Sequence, residues 1–131
     1  MTALPLMAVS LDELQGVWPR IVDRLGSLAA QESWGVLDVG RSLLSGQSQL
    51  WATASLSGFI VTYVIAEPWL RILYVWIACN SVFGKAADYV PQLRAIARRH
   101  DCATVEFETS RPGFARAIPE ATARQIYSIG V

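Results

Sequence analysis

The sequence has little histidine, little cysteine and no surplus of charge: one His, two Cys, and eleven basic residues against eleven acidic ones. The charge balance removes the basic excess that binding to bare nucleic acid normally requires, so no nucleic-acid partner is expected. Cys79 and Cys102 make neither a metal-binding spacing nor a disulfide framework. Both are expected as unpaired thiols in a reducing compartment, and no metal site is expected. The lone histidine, His100, ends a helical pattern, where its charge suits the helix dipole. No Cys or Ser is placed to make it a catalytic partner. Repeats, low-complexity tracts and linkers are missing, and 131 residues suit a single domain spanning 1–131.

The opening "MTALPLMAVS" lacks the basic flank and sustained apolar core of a secretory signal. A membrane-length run is missing too. "FIVTYVIAEPWLRILYVWIAC" is apolar, but Glu67-Pro68 and Arg71 divide it. Neither part reaches the roughly 20 residues that a helix needs to span a bilayer. Buried strands are the better reading, and a soluble, cytoplasmic protein without a membrane span is expected.

What is present is a core. Just over half of the residues are apolar, with five Trp, four Tyr and four Phe, a composition that argues against disorder. "LPLMAV" reads as a short first strand. Ser10 and Glu13 have the spacing of a capping box, in which each side chain meets the other's backbone N–H. Leu11, Leu14, Val17 and Trp18 then share a helical face. Pro19 is expected to interrupt this helix or to start a second one, along which Ile21, Val22, Leu25 and Leu28 keep the helical period. A further helix covers Leu37 to Leu44 and stops at Gly46.

The pattern then changes. "QLWATASL", "GFIVTYVIA" and "LRILYVWIAC" are rich in β-branched and aromatic residues and are separated by turn signals at Ser57-Gly58 and Glu67-Pro68. They read as a three-strand antiparallel meander. Strict alternation puts Leu70, Ile72, Tyr74, Trp76 and Ala78 on one face, and Trp69, Arg71, Leu73, Val75 and Ile77 on the other. Both faces are mostly apolar, as in a strand covered on two sides. "VPQLRAIARRH" is helical, with Leu93, Ile96 and Ala97 inward and Arg94, Arg98 and Arg99 outward. "ATVEFET" follows as a strand that should run parallel to 70–79. A short helix near Phe114 to Ile118 and a last strand, "RQIYSIG", close the chain. The fold class is α/β or α+β: N-terminal helices, a meander, a helical crossover to a parallel strand, and a C-terminal strand.

This order, with "SVFGKA" between a strand and a helix and with "ARRHDCATVEF" and "RPGFARAI" after it, resembles the GNAT N-acetyltransferase fold. In that family a Gln/Arg-x-x-Gly-x-Gly/Ala loop offers backbone N–H groups and a helix N-terminus to the pyrophosphate of acetyl-CoA. Here Gly84 and Ala86 fit that pattern, Lys85 lies between them, and Ser81 replaces the Gln or Arg. The resemblance makes Gly84, Lys85 and Ala86 the cofactor-binding residues if CoA binds. Pro91 belongs in the first turn of the following helix. Asp88 is then expected as its N-cap, occupying donors that a phosphate would need.

The family's chemistry uses a carboxylate or a held water as base and often a Tyr as acid. "LRILYVWIAC" carries no acidic residue and "RPGFARAI" no Tyr. The candidates that remain are Glu106 and Glu108, two apart on one strand and so on one face, and Tyr127 in the last strand. Trp51, Trp69, Tyr74 and Trp76 serve either as a ligand-groove lining or as core and interface packing.

Two functions fit. The first is a non-enzymatic structural or interaction protein on a degenerate GNAT-like fold. It would be similar to small GNAT-like proteins of tailed bacteriophages, some of them virion components, with protein partners in a larger assembly and no cofactor. The second is an acetyl-CoA-dependent N-acetyltransferase acting on an amine. The departures at Ser81, Asp88 and Pro91 and the lack of a clear acid and base favour the first.

Overall fold

The structure, a computed structural model, describes residues 4–30, 34–80 and 89–107. Its elements follow the order β1 (Met7–Ala8), α1 (Leu11–Ala29), α2 (Val36–Ser45), β2 (Gln49–Ala52), β3 (Gly58–Glu67), β4 (Leu70–Asn80), α3 (Val90–Arg99) and β5 (Thr104–Phe107). The strands form one sheet in the order β1-β2-β3-β4-β5. All neighbours are antiparallel except β4 and β5, which run parallel with Leu73 beside Val105. This is the expected GNAT-like α+β architecture, with β4 inside the sheet. The expected helix near 114–118 and the strand "RQIYSIG" lie outside the described residues.

The capping box forms as read. Ser10 Oγ accepts from the Glu13 N–H at 3.2 Å, and Glu13 Oε1 accepts from the Ser10 N–H at 3.1 Å. The Ser10 backbone N–H, and after it the Ser10 hydroxyl, hold the Glu13 carboxyl below its usual pKa.

Pro19 behaves differently from the expectation. α1 runs through it without a break, as a helix of 19 residues. Buried Leu14 lies before the proline and buried Ile21 and Leu25 after it, so both halves are anchored on the same core. Gln15, whose carbonyl loses its partner at Pro19, is exposed, and water can replace the missing donor. Leu11, read as part of the inward face, is 58% exposed. The α2 helix ends as expected at Gly46, which takes the left-handed conformation at φ 81°.

Two cores sandwich the sheet. On one face Leu14, Ile21 and Leu25 of α1 and Val39 and Leu43 of α2 meet Leu50, Ala52, Phe59, Val61 and Ile77. On the other, Ile96 and Ala97 of α3 meet Trp51, Ile60, Leu73, Val75 and Cys102. Arg94, Arg98 and Arg99 are exposed, as expected. Gln92, in the first turn of α3, holds the N-terminal segment: its Oε1 accepts from the Leu6 N–H at 2.7 Å and its Nε2 donates to the Leu4 carbonyl at 3.0 Å. Cys79 and Cys102 are both free thiols. Among the described residues, no helix is long and apolar enough to cross a membrane.

Candidate active site

Strict alternation fails once in β4. Val61 is opposite Ile77, but the next residue, Thr62, is opposite Val75, so Trp76 is an extra residue without a register partner. This is a β-bulge, which takes one residue out of the ladder and re-aims the side chains around it. Before the bulge Leu73 and Val75 face α3. After it Ile77 faces α1 and α2, on the same side as Trp76. The expected two-face assignment therefore holds for 70–76 and is reversed for Ile77 and Ala78. Ala78 pairs with Ile60, a residue of the α3 face.

The bulge gathers aromatic rings on the α1/α2 face. Trp76 lies 6.3 Å from Trp34 and 6.0 Å from Tyr63, both edge to face, and Tyr63 lies 5.0 Å from Tyr74. All four side chains are half-buried. The other aromatic candidates go elsewhere. Trp51 is buried under α3, where its Nε1 donates to Thr62 Oγ1 at 3.0 Å and Arg99 stacks 5.8 Å above its ring. Trp69 sits in the β3–β4 turn, 95% exposed. Trp34 was not singled out by sequence reasoning, because it falls between two helical patterns with no periodicity of its own.

Glu106 is the register partner of Tyr74. Its neighbour Val105 packs against the α3-side core, so alternation turns Glu106 to the aromatic face. Glu106 is half-buried there. The structure thus brings one of the three expected catalytic candidates to the bulge. Glu108 and Tyr127 lie outside the described residues, as do Ser81, Gly84, Lys85, Ala86 and Asp88.

The start of α3 corrects one expectation. The N-cap is Tyr89, not Asp88, with Val90 as the first helical residue and Pro91 in the first turn. Tyr89 makes no side-chain cap bond, and the first turn holds no acidic residue. The proline tolerates only the first positions of a helix, and here it is the second, which moves the cap one residue past the aspartate. Among the described residues, no side chain at the N-cap takes the first-turn donors. A helix start of this kind fits an anionic group through its N–H groups and dipole. No group of three or more His, Cys, Asp or Glu suited to a metal ion occurs among the described residues.

No family model and no curated protein matches the sequence. Solved structures do match. One is a probable acetyltransferase, 13% identical, at a TM-score of 0.69 over 98% of both chains. A ribosomal-protein-alanine N-acetyltransferase from Brucella melitensis biovar Abortus 2308 is 17% identical, at a TM-score of 0.67 over 98% of both chains. An aminoglycoside acetyltransferase from an uncultured soil metagenomic sample is 11% identical, at a TM-score of 0.70 over 99% of this chain and 98% of the other. The chain has the GNAT-like fold that these acetyltransferases share. The expected bacteriophage structural role finds no support among these similarities.

Proposed function

We propose that the chain, taken as one domain over residues 1–131, is an acetyl-CoA-dependent N-acetyltransferase that acts on an amine in the cytoplasm. The observation that carries this reading is the β4 bulge at Trp76 with Glu106 on the same face of the neighbouring parallel strand. In acyl transfer an amine nitrogen attacks a thioester carbonyl, the C–N bond forms, the C–S bond breaks, and the amine loses a proton. The chemistry needs a donor for the carbonyl oxygen and an acceptor for that proton. A backbone N–H at the Trp76 bulge, where the ladder with β3 is interrupted, suits the first task. The Glu106 carboxylate suits the second, with Glu108 and Tyr127 as further candidates. Acetyl-CoA supplies the activated acetyl group, and Gly84, Lys85, Ala86 and the start of α3 are the groups assigned to its phosphates.

The test has two parts. Acetyl-CoA at sub-millimolar concentration should raise the melting temperature, and Gly84→Asp should abolish the rise. Release of free CoA thiol in the presence of an amine panel should be lowered about 10²- to 10⁴-fold by Glu106→Gln, with the acetyl-CoA melting shift kept. If neither calorimetry nor melting detects acetyl-CoA, the reading falls and the non-enzymatic interaction protein takes its place.

A further inference from the structure

We propose that two copies of this chain pair edge to edge through β3, each seating Trp69 in a cleft of the other. The inference is independent of the acetyl-transfer reading.

The β3–β4 hairpin reaches past the rest of the sheet. β2 pairs with β3 only as far as Gln49 beside Thr62. Among the described residues, Val64–Glu67 have register partners on β4 alone. The outer edge of that segment is a template for another strand. Proteins usually blunt such an edge with charged side chains, Pro or a bulge. Val64, Ile65 and Ala66 carry none of these, the charge of Glu67 and Pro68 come only at the tip, and the bulge is on β4. Ala66 and Glu67 are exposed, and Val64 and Ile65 are half-buried. At the tip of the same hairpin Trp69 is 95% exposed.

Beside this edge is an open cleft of about 390 Å³. Leu14 and Leu43 line it from the α1/α2 side, Leu73 and His100 from the α3 side, and Thr62 and Tyr63 from β3. Walls from both faces of the sheet place it past the end of β2, where the sheet narrows. Leu11, 58% exposed, also lines it.

Ring and cleft fit across a two-fold axis. Pairing Val64–Glu67 antiparallel with itself sets Val64 opposite Glu67 and Ile65 opposite Ala66. In that register the partner's Glu67 stands opposite Val64, and the turn that follows sets the partner's Trp69 beside Val64 and Tyr63, which line the cleft just past the end of β2. The two Glu67 carboxylates then stand at opposite ends of the pairing and do not meet. Each copy gives one ring and receives one, so the contact is isologous and closes as a dimer. Two indoles at about 250 Å² each supply about 500 Å² of the roughly 1,200 Å² that a stable interface needs. The strand edges and Leu11 are positioned to supply the rest. An extended segment of another protein would use the same edge. The self-pairing is favoured because this one chain carries both the ring and the cleft.

Sedimentation of the full chain from micromolar to near-millimolar concentration tests this. The expected result is a concentration-dependent dimer. Trp69→Ala should weaken it at least tenfold in Kd, since a buried Trp is the commonest kind of interface anchor. Leu11→Glu, at a helix start that tolerates an acid, should weaken it as well. Both residues are exposed, so melting curves of the two variants, taken at dilution where the chain is monomeric, should match the wild type. A chain that stays monomeric across the range overturns the proposal. So does a dimer that both variants leave intact, or one that forms only with another protein.

Discussion

Thr62 stands opposite the β4 bulge and accepts the only hydrogen bond drawn from the Trp51 indole, at 3.0 Å. Both residues are buried, Trp51 at 3% and Thr62 at 2% exposure. Thr62→Val keeps the shape but leaves the indole N–H without its acceptor. Leaving such a group unmet in the interior costs about 1–3 kcal/mol. Trp51→Phe removes the donor, leaves the hydroxyl unmet, and adds a void worth roughly 1–2 kcal/mol more. In the double variant neither polar group remains, so its cost should fall short of the sum of the singles by about 1 kcal/mol or more. Urea unfolding at constant m-value reads these differences as midpoint shifts. For a chain of this size each kcal/mol also moves Tm by about 3–5 °C. Thr62→Val within about 0.5 kcal/mol of the wild type, or strictly additive singles, would refute the reasoning.

Pro19→Ala should stabilise the chain by about 1–3 kcal/mol, because it restores a donor and removes a ring clash in the middle of α1; chemical denaturation checks the sign. Ser10→Ala should cost about 0.5–2 kcal/mol through the lost cap on α1. The same cap gives a pH signature. Glu13 has a lowered pKa in the folded chain, so its contribution is complete above the ordinary glutamate range and disappears as pH falls through the lowered value. Melting curves taken down that range should converge for wild type and Glu13→Gln, and curves that stay parallel would remove the Glu13 charge from the account.

The strands were legible because their signals are local and redundant. "GFIVTYVIA" and "LRILYVWIAC" carry β-branched and aromatic residues throughout and sit on either side of Glu67-Pro68. The bulge between them was not legible for the same reason. From Ile72 to Ala78 every residue is apolar or aromatic, so a slip of one leaves the pattern unchanged. Only pairing with β3 reveals that Trp76 is extra. Pro19 misled because the proline rule is local, whereas Leu14, Ile21 and Leu25 hold the helix from outside it. At α3 the preference for an Asp cap gave way to the position of Pro91, which leaves Tyr89 at the boundary. Glu106 was named from its strand, but its place beside Tyr74 needed the register of the parallel pair.

The Gln92 clasp has a consequence for how the chain comes together. It joins residues 86 and 88 positions apart, Leu6 and Leu4 to Gln92. The β2–β3 and β3–β4 hairpins close over short stretches and need nothing beyond Asn80. They can form from residues up to Asn80 alone, while the N-terminal segment still waits for its second anchor at Gln92. The β1–β2 pairing shortens the loop that this contact must close, from the whole stretch to the part after β2. The segment that is made first thus gains its last anchor late, and a chain halted after β4 would hold it through β1 alone.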